Sequence, residues 1–143
     1  MNACVFCDIV AGCAPASVVH RDERCMAFMD IRPIAPGHLL VIPNDHAAFL
    51  GDLDPDDGRA MFAVAQRLAA ALRRSGLPAD GINLHVADGA VAGQEIFHVH
   101  VHVIPRFAGD GFGLRFPASY GRHPSRSELD AAAARIATGL ARS

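Results

Sequence analysis

The run Phe97-His98-Val99-His100-Val101-His102-Val103-Ile104 constrains this chain more than any other stretch. Imidazole and aliphatic side chains alternate with a period of two. An extended strand therefore puts His98, His100 and His102 on one face and Phe97, Val99, Val101 and Val103 on the other. The apolar face must be covered by another element. The polar face presents bases that titrate near neutrality. The residues alone leave three uses open: a zinc site, a nucleophile flanked by donors, or an anion site.

A helix fit to cover the apolar face is signposted at 55–74. Asp54 precedes Pro55 at the first helical position, Asp56 and Asp57 follow in the first turn, and Arg73 and Arg74 suit the other end of the dipole before Gly76. Met61, Val64, Ala65, Leu68, Ala69 and Leu72 fall at helical spacing. Ser125 and Glu128 are placed for a capping box ahead of Leu129, Ala132, Ala133, Ile136 and Leu140, which predicts a second helix closing the chain. Extended segments are expected at 17–20, 24–31, 38–43, 81–87 and 97–104, bounded by Gly, Pro, Asp and Asn. Strands cluster before and after one long helix, so the expectation is α+β: a five-stranded antiparallel sheet, one long central helix and a C-terminal helix, forming one domain over residues 1–143.

Composition narrows the function. The chain has 143 residues, 51% of them hydrophobic, and a formal charge of −2, which argues against a dedicated polyanion binder, so nucleic acid is not an expected partner. All 13 basic residues are Arg, which excludes a lysine Schiff base and a P-loop lysine. The apolar stretch near 60–72 is interrupted by Gln66 and Arg67, and Met1-Asn2-Ala3-Cys4 lacks the basic start of a signal peptide. The chain is thus expected to be soluble and cytoplasmic, with no membrane partner. In that setting Cys4 and Cys7 read as thiols or metal ligands before a disulfide. Their CxxC spacing is half a zinc site, and a thioredoxin-like context is absent. Cys13 and Cys25 lack ligand-like spacing. Upstream of the His run, Gly89-Ala90-Val91-Ala92-Gly93-Gln94-Glu95 is a small-residue loop whose amides suit phosphate oxygens.

The sequence His-Val-His-Val-His-Val-Ile at 98–104 resembles the signature of the histidine triad (HIT) superfamily. Asp30-Ile31-Arg32-Pro33-Ile34-Ala35-Pro36-Gly37-His38-Leu39-Leu40-Val41-Ile42-Pro43 is similar to the family's second block, and Ala92-Gly93-Gln94 sits where its phosphate loop does. The resemblance implies a HIT-like fold and a purine-nucleotide hydrolase cleaving at the α-phosphate of nucleoside phosphoramidates or dinucleoside polyphosphates. In it His100 is the nucleophile that carries the nucleotidyl group, and His102 contacts phosphate oxygens and assists the leaving group. Asp30 takes the ribose hydroxyls, Phe6, Ile9 and Ile31 line the base slot, and Gly93, Gln94 and the amide of Glu95 face the phosphates.

Two positions depart from the family pattern: Ala87, where relatives carry Asn or Gln, and Glu95, where they carry Ser or Thr. Some bacterial members bind a structural zinc ion at the positions matching Cys4, Cys7, His46 and His98, with no metal needed for the chemistry. The family also implies a homodimer across the long helix and an edge strand. Alternatives are a nucleotidyltransferase using the same intermediate, a zinc-stabilised nucleotide-binding module, and a catalytic zinc held by the three imidazoles.

Overall fold

The computed structural model describes residues 4–143; residues 1–3, which entered the localisation reading, lie outside it. The chain forms two compact units, one ending at Gly111 and the other running from Phe112 to Ser143.

The first unit is built on β1 (Val18–Arg21), β2 (Cys25–Met29), β3 (Leu39–Pro43), β4 (Gly81–His85) and β5 (Val101–Arg106). They form one sheet in the order β1-β2-β3-β5-β4, with every pairing antiparallel. Two helices belong to this unit: α1 (Val5–Val10) and α2 (Pro55–Arg74). The five strands and the long helix are those expected from the sequence, with strand ends shifted by a few residues. α1 was not anticipated.

The inner strands are covered on both faces, which is why β2 and β3 are continuous apolar runs. Cys25, Ala27, Leu39, Val41, Val99 and Val103 pack with Met61, Val64, Ala65, Leu68 and Leu72 of α2. The alternate residues Met26, Phe28, Leu40 and Ile42 pack with Phe6 and Ile9 of α1. Full burial of each large side chain contributes about 1.5–3 kcal/mol. α2 begins as the sequence predicts, with the Asp54 carboxylate accepting from the Asp56 amide at 2.7 Å.

The expected strand at 97–104 is shorter than predicted, and the reason lies at Pro43. Its ring removes the amide that would continue the ladder, and its carbonyl accepts from the His98 side chain at 2.9 Å. The chain before β5 instead donates the Val99 amide to the Ala47 carbonyl at 2.8 Å. The faces still alternate through this segment: Val99 joins the α2 side, while His98 and His100 meet Phe6.

Gly37 closes the turn between β2 and β3 at φ +96°, and a Cβ there would lie 3.0 Å from both Leu72 Cδ2 and Leu77 Cδ1. Only glycine meets both demands.

In the second unit, α3 (Arg126–Leu140) starts with the anticipated capping box: the Ser125 amide donates to Glu128 at 2.7 Å and the Glu128 amide to Ser125 Oγ at 3.2 Å. Phe116 and Tyr120 stack with ring centroids 4.0 Å apart.

Candidate active site and metal centre

Three backbone carbonyls and amides decide the proton positions on the imidazoles. A carbonyl can only accept, so the ring nitrogen beside it carries hydrogen. His98 Nε2 lies 2.9 Å from the Pro43 carbonyl and therefore donates, leaving Nδ1 with its lone pair. His100 Nδ1 lies 2.7 Å from the His98 carbonyl, so Nδ1 donates and Nε2 keeps the lone pair. His38 Nδ1 accepts from the Ile34 amide at 3.0 Å, so its Nε2–H donates to His102 Nδ1 at 2.9 Å. His102 is left with its proton on Nε2.

The tautomer of His100 that its bond to the His98 carbonyl selects carries its unshared pair at Nε2, beside a neighbour that offers an N–H. Their ring centroids lie 4.9 Å apart. Burial, reinforced by repulsion from His100, His38 and His85, pushes His102 down to about 4. Burial also lowers His38. Both rings are neutral at pH 7, which makes His102 a hydrogen-bond donor without a fixed charge.

His98 faces the other way. Its Nδ1 lies 3.4 Å from Cys4 Sγ, 3.6 Å from Cys7 Sγ and 3.3 Å from His46 Nδ1, and Cys7 Sγ is 3.4 Å from His46 Nδ1. For Zn–N and Zn–S bonds of about 2.05 and about 2.3 Å, the edges of a tetrahedron are about 3.3 Å between nitrogens and about 3.6 Å between nitrogen and sulfur. The observed separations match those edges, and the lone pair that ligation requires is the one His98 has free. The donor set fits zinc, and the Nε2–H bond to Pro43 supplies the outer contact that fixes such a ligand's tautomer. α1 brings the sulfurs: Cys4 is its N-cap, and its Sγ accepts from the Cys7 amide at 3.5 Å.

The remaining predicted residues fall into three groups. Phe6 and Ile9 are buried on the histidine face, with Phe6 edge-on to His100 at 5.3 Å. Asp30 Oδ2 lies 3.5 Å from His38 Nε2, which ties it to the histidine chain, and Oδ1 accepts from the Arg32 amide. Ile31 in the same turn is 93% exposed.

The loop residues behave differently. Gly93 adopts φ +94° and ends the short helical turn Ala90–Ala92. The next residue, Gln94, is turned inward: Oε1 accepts from the Gly89 amide at 2.8 Å, while Nε2 donates to the Ala48 and Ile96 carbonyls at 2.8 and 3.1 Å. Its side chain is engaged in holding the loop. Glu95 turns to Arg32, with which it forms an exposed ion pair at 2.7 Å.

Two histidines outside the motif also belong to this region. His38 bonds His102, and His85 stands opposite His102 in the β4–β5 register. Strand register was the missing signal.

Fold and site together define a class: an α+β domain whose inner strand presents a row of imidazoles beside a Cys2His2 donor set. Residues 11–109 match the HIT domain, and the chain belongs to the HIT family. It is 42% identical over 116 residues to an uncharacterized HIT-like protein of Borreliella burgdorferi, covering 80% of this chain and 84% of that one. A zinc-bound histidine triad family protein from Mycobacterium smegmatis is 45% identical, with a TM-score of 0.75 over 96% of this chain and 97% of that chain. Adenylylsulfatase HINT3 of Arabidopsis thaliana is 38% identical over 105 residues, which is 73% of this chain and 53% of that protein.

Proposed function

We propose that this protein hydrolyses purine-nucleotide conjugates at the α-phosphate through a nucleotidyl-His100 intermediate. The observation that carries the reading is the unshared Nε2 pair of His100, left free because Nδ1–H is taken by the His98 carbonyl at 2.7 Å. In the first step that pair forms an N–P bond to the α-phosphorus. The bond from phosphorus to the leaving group breaks, the leaving group keeps the electron pair and takes its proton from solvent, and His102 Nε2–H donates a hydrogen bond to it while staying on its ring. In the second step water adds to phosphorus, the N–P bond returns its electrons to His100, and the surplus proton of the water passes to solvent. One water is consumed and one nucleoside monophosphate released.

Asp30 in this reading accepts from the ribose hydroxyls, Ile9 and Ile31 border the base, and the Gly93–Glu95 backbone faces the phosphates. The inward turn of Gln94 supports a supporting role for its side chain and leaves amides, not the carboxamide, for the phosphates. Cys4, Cys7, His46 and His98 would hold a structural zinc ion that fastens α1 to the histidine segment; the chemistry above needs none. The name of the Arabidopsis relative supports an adenylyl group joined to a good leaving group as the substrate class. Exposed Phe62 on α2 and Leu84 on the edge strand β4 support assembly as a homodimer.

The test is AMP release from adenosine 5′-phosphoramidate by the wild type and His100→Ala, with and without chelator. Release that is lost in His100→Ala and continues, at most slowed, after chelation is the expected result. Release that persists in His100→Ala rejects the mechanism, as does release that chelator abolishes outright, with no residual slow turnover, while the fold is intact.

A further inference from the structure

The metal donor set and the nucleophile share two pieces of structure. The first is His98, whose ring nitrogen Nδ1 lies among Cys4, Cys7 and His46 while its carbonyl oxygen receives His100 Nδ1–H at 2.7 Å. The second is Phe6, which sits on α1 between the two cysteines. Its ring meets His98 edge-on at a centroid distance of 5.8 Å and His100 at 5.3 Å, and it is 6% exposed.

We infer that Phe6 and His98 are positioning residues for His100, so that ligation at the Cys4–Cys7–His46–His98 donor set is coupled to the orientation of the nucleophilic ring. This inference rests on the function proposed above. α1 is six residues long, too short to hold its place by helix propensity alone. Besides the apolar contacts of Phe6 and Ile9 and a bond from the Arg21 guanidinium of β1 to the Val10 carbonyl at 3.4 Å, what fastens it is the convergence of its two sulfurs on His46 and His98. His98 Nε2 is tied to Pro43 and Nδ1 to the donor set, so the ring is held at both nitrogens and the residue's own backbone carbonyl is held with it. That carbonyl fixes which nitrogen of His100 is free, and the edge of Phe6 fixes the ring's tilt.

When the donor set is empty, the Cys4–Cys7 end of α1 retains its apolar packing while the Arg21 bond holds only the far end at Val10, and both restraints on His100 slacken together. The consequence for rate is large relative to the movement, because a misplacement of about 1 Å costs on the order of a hundredfold in a positioned reaction. Nucleotide affinity, set by Asp30 and the loop amides, is affected much less. Phe6 is thereby assigned a duty different from lining the base slot, and the two duties predict different kinetics.

The experiment compares zinc-loaded wild type, zinc-loaded Phe6→Leu and Cys7→Ser, with zinc content and circular dichroism recorded for each. Three quantities are read: the His100 Nδ1–H resonance in nitrogen-15 spectra, the single-turnover rate of His100 labelling by adenosine 5′-phosphoramidate, and AMP affinity. Phe6→Leu is expected to keep zinc and fold, broaden the Nδ1–H resonance, and slow labelling by about tenfold to about a hundredfold with AMP affinity within about threefold. Cys7→Ser is expected to lose zinc and show the same spectral and kinetic changes. An unchanged Nδ1–H resonance in Phe6→Leu overturns the inference, as does a loss confined to AMP affinity. If Cys7→Ser unfolds, the Phe6→Leu result decides alone. If wild type forms no adduct while the resonance still responds to Phe6→Leu and to zinc, the positioning stands and the proposed reaction falls.

Discussion

His38 Nε2 lies 2.9 Å from His102 Nδ1, and the direction of that hydrogen bond is set from behind by the Ile34 amide on His38 Nδ1. A buried residue in the β2–β3 turn thus determines which nitrogen of His102 carries the proton, the one that faces the leaving group in the reaction proposed above. His38→Phe keeps an aromatic ring there but offers neither bond. It leaves the Ile34 amide and His102 Nδ1 unpaired, which costs about 1–3 kcal/mol in urea unfolding. AMP release from a substrate with a poor leaving group should fall by at least about tenfold. A substrate with a good leaving group should be affected much less, and equal losses on both substrates would contradict the donor assignment.

Acid should destabilise the protein before its carboxylates titrate. His102 falls from an ordinary 6.5 to about 4 in the folded chain, and His38 shifts in the same direction. Between those values the unfolded chain binds protons that the folded chain refuses. The stabilisation is therefore complete above about pH 6.5 and is lost as pH falls toward 4. His102 accounts for at most about 3 kcal/mol of that loss. Urea midpoints measured from pH 7.5 to 4 should decline across this window, and the decline should be shallower in His102→Asn.

Gln94 is predicted to matter for stability more than for substrate contact. Gln94→Ala strips partners from the Gly89 amide and from the Ala48 and Ile96 carbonyls, at a cost of about 1–3 kcal/mol. Proteolysis near Gly89 should accelerate in the variant. If thermal stability is unaltered while the KM for the phosphoramidate rises sharply, the side chain reaches substrate instead.

Glu95→Ser should leave the melting temperature nearly unchanged, because its bond to Arg32 joins two exposed side chains. Its effect belongs to the leaving group. Removing a carboxylate and releasing Arg32 favours anionic leaving groups, so activity on a diadenosine polyphosphate should rise relative to the phosphoramidate. A ratio identical to wild type would remove Glu95 from the specificity argument.

Zinc uptake should release protons and strengthen with pH. Burial, followed by the neighbouring Cys4 and Asp8, pushes the Cys7 thiol up to about 11, so at neutral pH that proton must leave before sulfur ligates. Calorimetry of zinc binding in buffers of different ionisation enthalpy should detect at least about one proton per ion from this thiol. Cys7→Ser should abolish that release.

Much of this molecule was legible from residue order because the informative patterns were local. The alternation through His98, His100 and His102 placed the imidazoles on one face, and the stripe from Met61 to Leu72 predicted the covering helix. The CxxC spacing at Cys4 and Cys7 pointed to a metal, although the four donors come together only through the fold. Features that were missed depend on long loops and short elements. α1 has six residues and a thiol N-cap, so no periodicity could announce it. The His38–His102 bond joins residues 64 apart and the Arg32–Glu95 pair residues 63 apart. Whether Gln94 faces substrate or backbone follows from the positive φ of Gly89 and Gly93, which a residue name permits without revealing.

The contact between Gly37 and the end of α2 carries a lesson for anyone wishing to alter this pocket. With Leu72 Cδ2 and Leu77 Cδ1 each 3.0 Å from where a Cβ would stand, a larger residue at Gly37 would have to push two leucine tips aside and still adopt a positive φ. Ile31 and Arg32, whose side chains stand exposed in the same connection, are the positions where the proposed substrate preference can be varied without disturbing that contact.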